Sequence, residues 1–490
     1  MTIQSVNPRT GESFGPKFAS TTAQALDEIV AASERACEVW SMMAADERGR
    51  ILNAVADALD AHAEKLVEIA DLETGLGKVR LTGEVGRTTF QIRSFATALI
   101  AGDFISPTVD AAVDGAPPQG HPKFLRTVRA IGPVAVFGAS NFPFAFSVLG
   151  GDTASALAAG CSVVVKAHPA HPQTSQTTVD IAIKAMSDAG APAGTLAIGH
   201  GFEFGKAIIT DPRICAGAFT GSKAGGRALF DLAQSRPNPI PFYGELGSVN
   251  PVVVTESGLA DPATFAGAYL DSLLMGNGQF CTNPGLLFVP ENSEFLQSLQ
   301  EQLLLRDAGP FLSEATKVLH DKVRTALEEA TEAKKVSGKA VDSLGFFSTP
   351  EILITSAGQM MKDPSKLSAE CFGPTGIVIT YSKVAEVISL LAHLEGALVG
   401  CLFAAPTDHS AVALVRALAK MSGRVAFNAW PTGVAVAAGQ HHGGPYPAST
   451  STLHTSVGIH AIERFLRPVT FQGFPDELYA AISHDSVKGK

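Results

Sequence analysis

Between Pro133 and Tyr243, short apolar runs rich in β-branched residues alternate with longer stretches of helical period. This alternation constrains the fold more than any other feature of the chain. Pro133-Val-Ala-Val-Phe137, Ser162–Lys166, Thr195–Ile198, Cys215–Phe219 and Ile240–Tyr243 read as strands, with helices from Pro143 and over Pro172–Ala189 among those between them. Strands separated by helices at this spacing pair in parallel, with helices on both faces of the sheet, so the fold class is a doubly wound α/β. A second alternating series starts at Pro251-Val-Val-Val-Thr255 and runs to about Asn428, with strands at Gly376–Tyr381, Leu398–Ala404 and Arg424–Ala426. Two α/β lobes are expected, as suits a chain of 490 residues.

Smaller pieces flank the lobes. Gln24–Trp40, Ala45–Leu72 and Gly83–Ala98 carry helix-period apolar positions. Gly102–Pro122 is rich in proline, glycine and aspartate, as a surface excursion would be. Phe124-Leu-Arg-Thr-Val-Arg129 alternates like an exposed strand, and Val457–Gln472 returns to short alternating segments before a charged tail. The expected division is 1–105 with 131–244 for a dinucleotide-binding domain and 245–445 for a catalytic domain. The remaining 106–130 and 446–490 would form an added β element and tail.

Composition narrows the function. A net charge of −10 without basic blocks offers no stripe to neutralise phosphates, so nucleic acid is not an expected partner. The six cysteines lie far apart with no C-x-x-C pair, which argues against a disulfide framework or structural zinc and for a reducing cytoplasm. No signal-peptide layout opens the chain. The longest apolar region, about Phe142–Val165, is interrupted by Gly150, Gly151, Asp152 and Gly160, so it reads as a buried helix and strand and not as a membrane span.

Several segments carry chemistry. Gly276-Asn-Gly-Gln-Phe-Cys281-Thr-Asn-Pro-Gly285 places one cysteine in a glycine-rich connection, where it is either an accessible nucleophile or a small packed thiol. Glu245 lies among glycines and apolar residues at a strand end; desolvation there would raise its pKa and suit it to general-base work. Asn141 precedes Phe142-Pro143, where its amide could cap a helix or donate to an oxyanion. Phe219-Thr-Gly221-Ser222-Lys-Ala-Gly-Gly-Arg227 follows a strand and opens a helix, as a phosphate site would. Gly199-His-Gly201-Phe-Glu-Phe-Gly205 has its third glycine one residue late for a dinucleotide fingerprint and reads as a loop. The second strand ends in Lys166 with no carboxylate before Asp180, which leaves room for a 2′-phosphate and tilts the cofactor towards NADP. Glu370-Cys-Phe372-Gly-Pro374 offers a further carboxylate before a turn. His441 and His442 point in different directions as sequence neighbours, and no third ligand stands nearby, so no metal is expected.

Together these segments resemble the aldehyde dehydrogenase superfamily along nearly the whole chain. The matches are Asn7-Pro-Arg-Thr-Gly-Glu12, Ser140–Pro143, the strand ending in Lys166, Phe219–Ser222, Glu245-Leu-Gly247, Gly276–Cys281 and Glu370–Pro374. The resemblance implies Cys281 as nucleophile, Glu245 as general base and Asn141 as oxyanion donor with the Cys281 N–H. It implies NAD or NADP as cofactor, with Lys166, Gly221, Ser222, Glu370 and Phe372 at cofactor positions. Many members carry a glutamate where this chain has Pro169, and its absence removes a group that would repel a 2′-phosphate. Gly-Ser-Val-Asn-Pro after Glu245-Leu, with His442-Gly-Gly-Pro-Tyr-Pro and Arg464-Phe-Leu-Arg-Pro, is similar to α-ketoglutarate semialdehyde dehydrogenases and an NADP-dependent fatty-aldehyde dehydrogenase. The implied reaction is oxidation of 2,5-dioxopentanoate to 2-oxoglutarate, with hydrolysis of a Cys281 thioester. The alternative is a medium- or long-chain aldehyde. Arg87 and Arg93 would hold a distal carboxylate; Phe142, Phe146 and Phe280 would line an apolar tunnel, and His442 its mouth. A homodimer or homotetramer is implied, joined through the added β element. A non-catalytic scaffold would be free to lose Cys281, Glu245 or Asn141, and all three are present.

Overall fold

The computed structural model describes residues 2–102, 107–341 and 343–478. The charged tail from 479 and part of the surface excursion, 103–106, lie outside the described residues.

The first lobe is a parallel sheet of five strands in the order Leu196–Gly199, Val163–Lys166, Val134–Phe137, Ala216–Thr220, Phe242–Glu245. The strand that comes first in the chain lies at the centre, and successive strands are added first on one side and then on the other. Ligands bind at such a reversal, beyond the carboxyl ends of the strands. Val134, Ala135 and Val136 are fully buried, as expected of strands covered on both faces. The covering helices bring Trp40 and Phe95 into one core with Phe144 from the turn after the central strand, and Trp40 Nε1 donates to the Leu157 carbonyl at 3.0 Å.

The second lobe has seven strands in the order Lys334–Ser337, Glu351–Ser356, Thr375–Tyr381, Leu286–Pro290, Pro251–Val254, Ala397–Phe403, Ser422–Phe427. All neighbours pair in parallel except the first two. The Cys281 loop empties directly into Leu286–Pro290 near the middle of this sheet, which holds one end of it on the most rigid part of the lobe. A third, antiparallel sheet joins Thr108–Asp110, Phe124–Ala130 and Leu466–Gln472.

Local departures from the periodicity have physical causes. The helix expected from Pro143 starts instead at Gly151 and spans Gly151–Ala159. Residues before it form turns, with the amides of Phe144 and Ala145 donating to the Glu84 carboxylate at 2.8 and 3.0 Å. These turns fold back over the preceding strand end, and a Cβ at Gly138 would lie 2.5 Å from the Ser147 backbone. The expected Ala45–Leu72 helix is two, Ala45–Ala61 and Ala63–Thr74, divided at His62. The amino-terminal hairpin, Thr2–Val6 with Ser13–Ala19, carries too short and mixed a pattern to read in advance. No helix among the described residues is long and apolar enough to cross a membrane. All six cysteines are free.

Candidate active site

The Cys281 loop is pinned along its length, not loose. After the helix Pro262–Leu274, three successive residues, Gly276 (φ 57°), Asn277 (φ 60°) and Gly278 (φ 69°), run left-handed. A Cβ at Gly278 would fall 2.0 Å from the Gly373 carbonyl oxygen, so only glycine fits. Gln279 is fully buried, and its Oε1 accepts from the Leu312 amide at 3.0 Å. Asn250 donates from Nδ2 to the carbonyls of Cys281 (2.8 Å) and Asn283 (3.0 Å), while its Oδ1 accepts from Ser248 Oγ at 2.8 Å. The Ser-Val-Asn variant after Glu245-Leu-Gly247 thus clamps the backbone that carries the thiol. Sequence reading noticed the segment but not this role.

Three reactive side chains from distant segments meet here. Cys281 Sγ lies 3.8 Å from His442 Nε2, which lies 3.0 Å from Glu245 Oε1. Ser456 Oγ donates to Glu245 Oε2 at 2.9 Å. Glu245 and His442 are 5% and 2% exposed, and Cys281 is partly buried. The chain reaches this arrangement because Glu245 forms an antiparallel bridge with Ser449 and Leu246 donates to the Ala448 carbonyl, which sets the 442–456 segment against the strand end. His442 is therefore one corner of a buried triangle in which thiol and carboxylate also reach each other directly, and not a residue of an open substrate mouth. Ser456 carried no sequence signal.

The electrostatics revise the expectation for Glu245 and set the resting state of Cys281. Burial alone would raise the Glu245 carboxyl, but His442 and the hydrogen bonds around it outweigh that effect and hold it below the usual range. Glu245 is therefore ionised at neutral pH. Cys281 is pushed well above the ordinary thiol range, first by desolvation and then by the Glu245 charge, so it rests as a protonated thiol and not as a thiolate. Attack on a carbonyl then requires an adjacent proton acceptor, and His442 and Glu245 are the two at hand.

Asn141 Nδ2 donates to the Gln279 carbonyl at 2.9 Å, tying the turn after Phe137 to the cysteine loop. Beside it the rings of Phe142 and Phe280 lie 5.0 Å apart, Phe142 and Phe146 5.3 Å, and Phe146 and His442 5.7 Å. The three expected phenylalanines therefore form one cluster next to the thiol. Arg80 stacks on Phe142 and Phe280, and Arg87 on Phe146, from one face of the helix Lys78–Ala101. Glu84 lies between them on that face, and its charge couples to both. Arg80 and Arg87 each leave Nη1 buried without an acceptor. Arg93 is elsewhere: it pairs with Asp57 (2.6 Å) and Asp60 (2.7 Å) on an exposed face, which is where residues six positions apart on a helix diverge.

The chain matches the aldehyde dehydrogenase family over residues 1–471. It belongs to that family. It is 38% identical over 489 residues to an alpha-ketoglutaric semialdehyde dehydrogenase of Acinetobacter baylyi, covering 99% of this chain and 93% of the relative. Alpha-ketoglutaric semialdehyde dehydrogenase 2 of Azospirillum brasilense is 38% identical over 487 residues, covering 97% and 92%. Among solved structures, PnpE of Pseudomonas sp. WBC-3, in complex with nicotinamide adenine dinucleotide, superposes with a TM-score of 0.80 at 25% identity, covering 97% of this chain and 95% of that one. The chain is thus an oxidoreductase of the aldehyde dehydrogenase family.

The residues of this family member fit a dinucleotide at the carboxyl edge of the first sheet. Ser222 caps the helix Lys223–Gln234, its Oγ accepting from the Gly225 amide at 3.2 Å, and the start of that helix is exposed. Such an end favours an anion. Packing explains two of the glycines: a Cβ on Gly221 would meet the Phe219 ring at 2.8 Å, and one on Gly226 the Leu246 side chain at 2.1 Å. The Gly221 amide donates to the Glu245 carbonyl at 3.1 Å, so the loop and the base share one strand edge. Lys166 is brought down to about 8 by desolvation alone, with no carboxylate offsetting it. Pro169 is exposed in the turn that follows. Glu370 packs on Gly247, where a Cβ would lie 2.0 Å from its Oε2, and burial raises its carboxyl to about 8. Glu370 and Phe372 line a cleft with Ser248, Gly278 and Phe280, beside the cysteine loop.

Proposed function

We propose that this aldehyde dehydrogenase oxidises 2,5-dioxopentanoate to 2-oxoglutarate with NAD or NADP, hydrolysing its thioester with water and not transferring it to coenzyme A. The supporting observation is the Cys281–His442–Glu245 array beside two buried arginine nitrogens that lack an acceptor. Cys281 Sγ attacks the aldehyde carbon as its proton passes to the His442–Glu245 pair, whose carboxylate lies within the thiol's own hydrogen-bonding reach, and the pair hands that proton on to solvent before the water step. The second Asn141 amide hydrogen and the Cys281 N–H receive the developing oxyanion. The dinucleotide, when bound, supplies the hydride acceptor. Glu245 then removes a proton from the water that attacks the Cys281 acyl group, and the carboxylic acid leaves. A thioester handed to coenzyme A would not need this ionised, hydrogen-bonded base.

Lys166, Gly221, Ser222, Glu370 and Phe372 are the residues that would hold the dinucleotide. A desolvated lysine followed by Pro169, with no acid, favours acceptance of a 2′-phosphate, so NADP is used at least as well as NAD. The domain division 1–105 with 131–244, 245–445, and 106–130 with 446–490 goes with this reading. The exposed edges of the three-stranded sheet suit pairing between copies in a homodimer or homotetramer. Six free thiols suit the cytoplasm.

Arg87 and Arg80 answer the distal carboxylate of the substrate, while the phenylalanines pack its methylene carbons. Arg87→Met should raise KM for 2,5-dioxopentanoate on the order of 100-fold, the scale of losing one partner of a buried charge pair. Hexanal, which has no carboxylate, should be turned over near the wild-type rate. Steady-state kinetics with both aldehydes, each with NAD and NADP, test the reading. A wild-type preference for hexanal would overturn the substrate assignment in favour of an apolar tunnel reading of Phe142, Phe146 and Phe280.

A further inference from the structure

Glu245, Cys281 and His442 each offer one metal-ligating atom, and these atoms all lie within 4.8 Å of one another. We propose that the chain binds one zinc-class divalent cation between Cys281 Sγ, His442 Nε2 and a Glu245 carboxylate oxygen, and that this cation reversibly inhibits turnover. Tetrahedral zinc, with bonds of about 2.3 Å to sulfur and about 2.0–2.2 Å to nitrogen or oxygen, sets its ligand atoms roughly 3.3–3.6 Å apart. The observed separations, 3.8 Å for Sγ to Nε2 and 3.0 Å for Nε2 to Oε1, straddle that range. The third separation, thiol to carboxylate, is at most 4.8 Å, so side-chain rotations that move the atoms by about an ångström would complete the triangle.

The chemistry of the donors fits as well. One thiolate, one imidazole and one carboxylate are ligands that zinc accepts together, and three protein ligands leave a fourth position for water or an aldehyde oxygen. Glu245 Oε1 is buried and faces the His442 ring nitrogen, so a cation seated there would take over the contact that already joins these two groups. Charge favours the ion further. A thiolate and a carboxylate within 4.8 Å of each other would repel. A doubly charged cation neutralises both, and binding releases the thiol proton to solvent as the Sγ–metal bond forms. His442 binds through Nε2 in the tautomer that carries its hydrogen on Nδ1. Both the nucleophile and the base are then occupied, which stops the reaction without altering the cofactor site. Only the inhibition rests on the catalytic roles given above; the binding does not.

Cobalt(II) titrated into the full-length protein reads the site directly. One ion per chain should bind, with a thiolate-to-metal charge-transfer band in the near ultraviolet and the intense visible bands of four-coordinate cobalt. Zinc should displace it and chelator should restore activity. Cys281→Ser should abolish the charge-transfer band. His442→Gln and Glu245→Gln should each weaken binding by more than the roughly 10–100-fold seen for loss of an outer-sphere partner. A wild-type spectrum showing only weak six-coordinate bands overturns the proposal, and needs no variant to do so. Unchanged affinity in His442→Gln overturns it too. The four-coordinate spectrum in a protein that oxidises no aldehyde would uphold the metal site and sink the catalytic reading.

Discussion

Cys281→Ser should bind the dinucleotide as the wild type does and lose turnover by on the order of 10⁴-fold or more, the scale on which removing a covalent nucleophile acts. The substitution is nearly isosteric. The backbone clamp is untouched, because Asn250 holds the Cys281 carbonyl and not its side chain. A serine hydroxyl is a far weaker nucleophile under the same proton acceptors, and among the described residues no other cysteine is grouped with Glu245 and His442. The wild-type thiol should also betray its protonated resting state. Its alkylation by iodoacetamide should accelerate about tenfold per pH unit from pH 6 to 9, because only the thiolate reacts and burial keeps its pKa above that window. Cofactor binding by isothermal calorimetry together with steady-state rates checks the first expectation. Near-normal turnover by Cys281→Ser would remove it from the chemistry.

Glu245→Gln should separate the two halves of the reaction. Attack by Cys281 needs a proton acceptor, and His442 Nε2, released from the carboxylate by the substitution, can serve. Deacylation needs a base for water, and a glutamine cannot supply one. A rapid burst of one reduced dinucleotide per chain should therefore be followed by a steady rate lower by about 10²–10⁴-fold, the usual contribution of a general base. Intact-mass measurement after the burst should find the acyl group on Cys281. Uniform slowing with no burst would mean that Glu245 alone takes the thiol proton and that His442 cannot replace it. Because the wild-type carboxylate lies below the usual range, its deacylation should keep its rate down to mildly acidic pH and fall only as the pH drops through that lowered value.

The sheets were legible because their strands are short, continuous apolar runs with helices of ordinary length between them, and parallel pairing follows from the connections alone. Leu286–Pro290 was missed although it is just such a run, since the glycine-rich loop before it drew the reading towards a connection. Cys281, Glu245 and Asn141 stood out because each breaks the local apolar or glycine pattern at an element end. What was not legible depends on contacts across long sequence separations. Nothing near His442 in the chain reveals that it meets a thiol and a carboxylate, because the Glu245–Ser449 bridge that puts it there is a tertiary event. For the same reason Glu245 was expected to have a raised pKa: desolvation can be inferred from apolar neighbours, whereas the compensating imidazole and Ser456 hydroxyl cannot. Arg87 and Arg93 looked equivalent on one helix. Only packing distinguishes the guanidinium stacked on Phe146 from the one paired with Asp57 and Asp60.

The most direct measurement incubates the purified full-length chain with 2,5-dioxopentanoate and NADP in ¹⁸O-labelled water, with and without coenzyme A. The expected product is 2-oxoglutarate carrying label in its new carboxylate, formed in equal amount to the reduced dinucleotide and without need of coenzyme A. Strict dependence on coenzyme A, or no acid from this aldehyde under any condition, would contradict it.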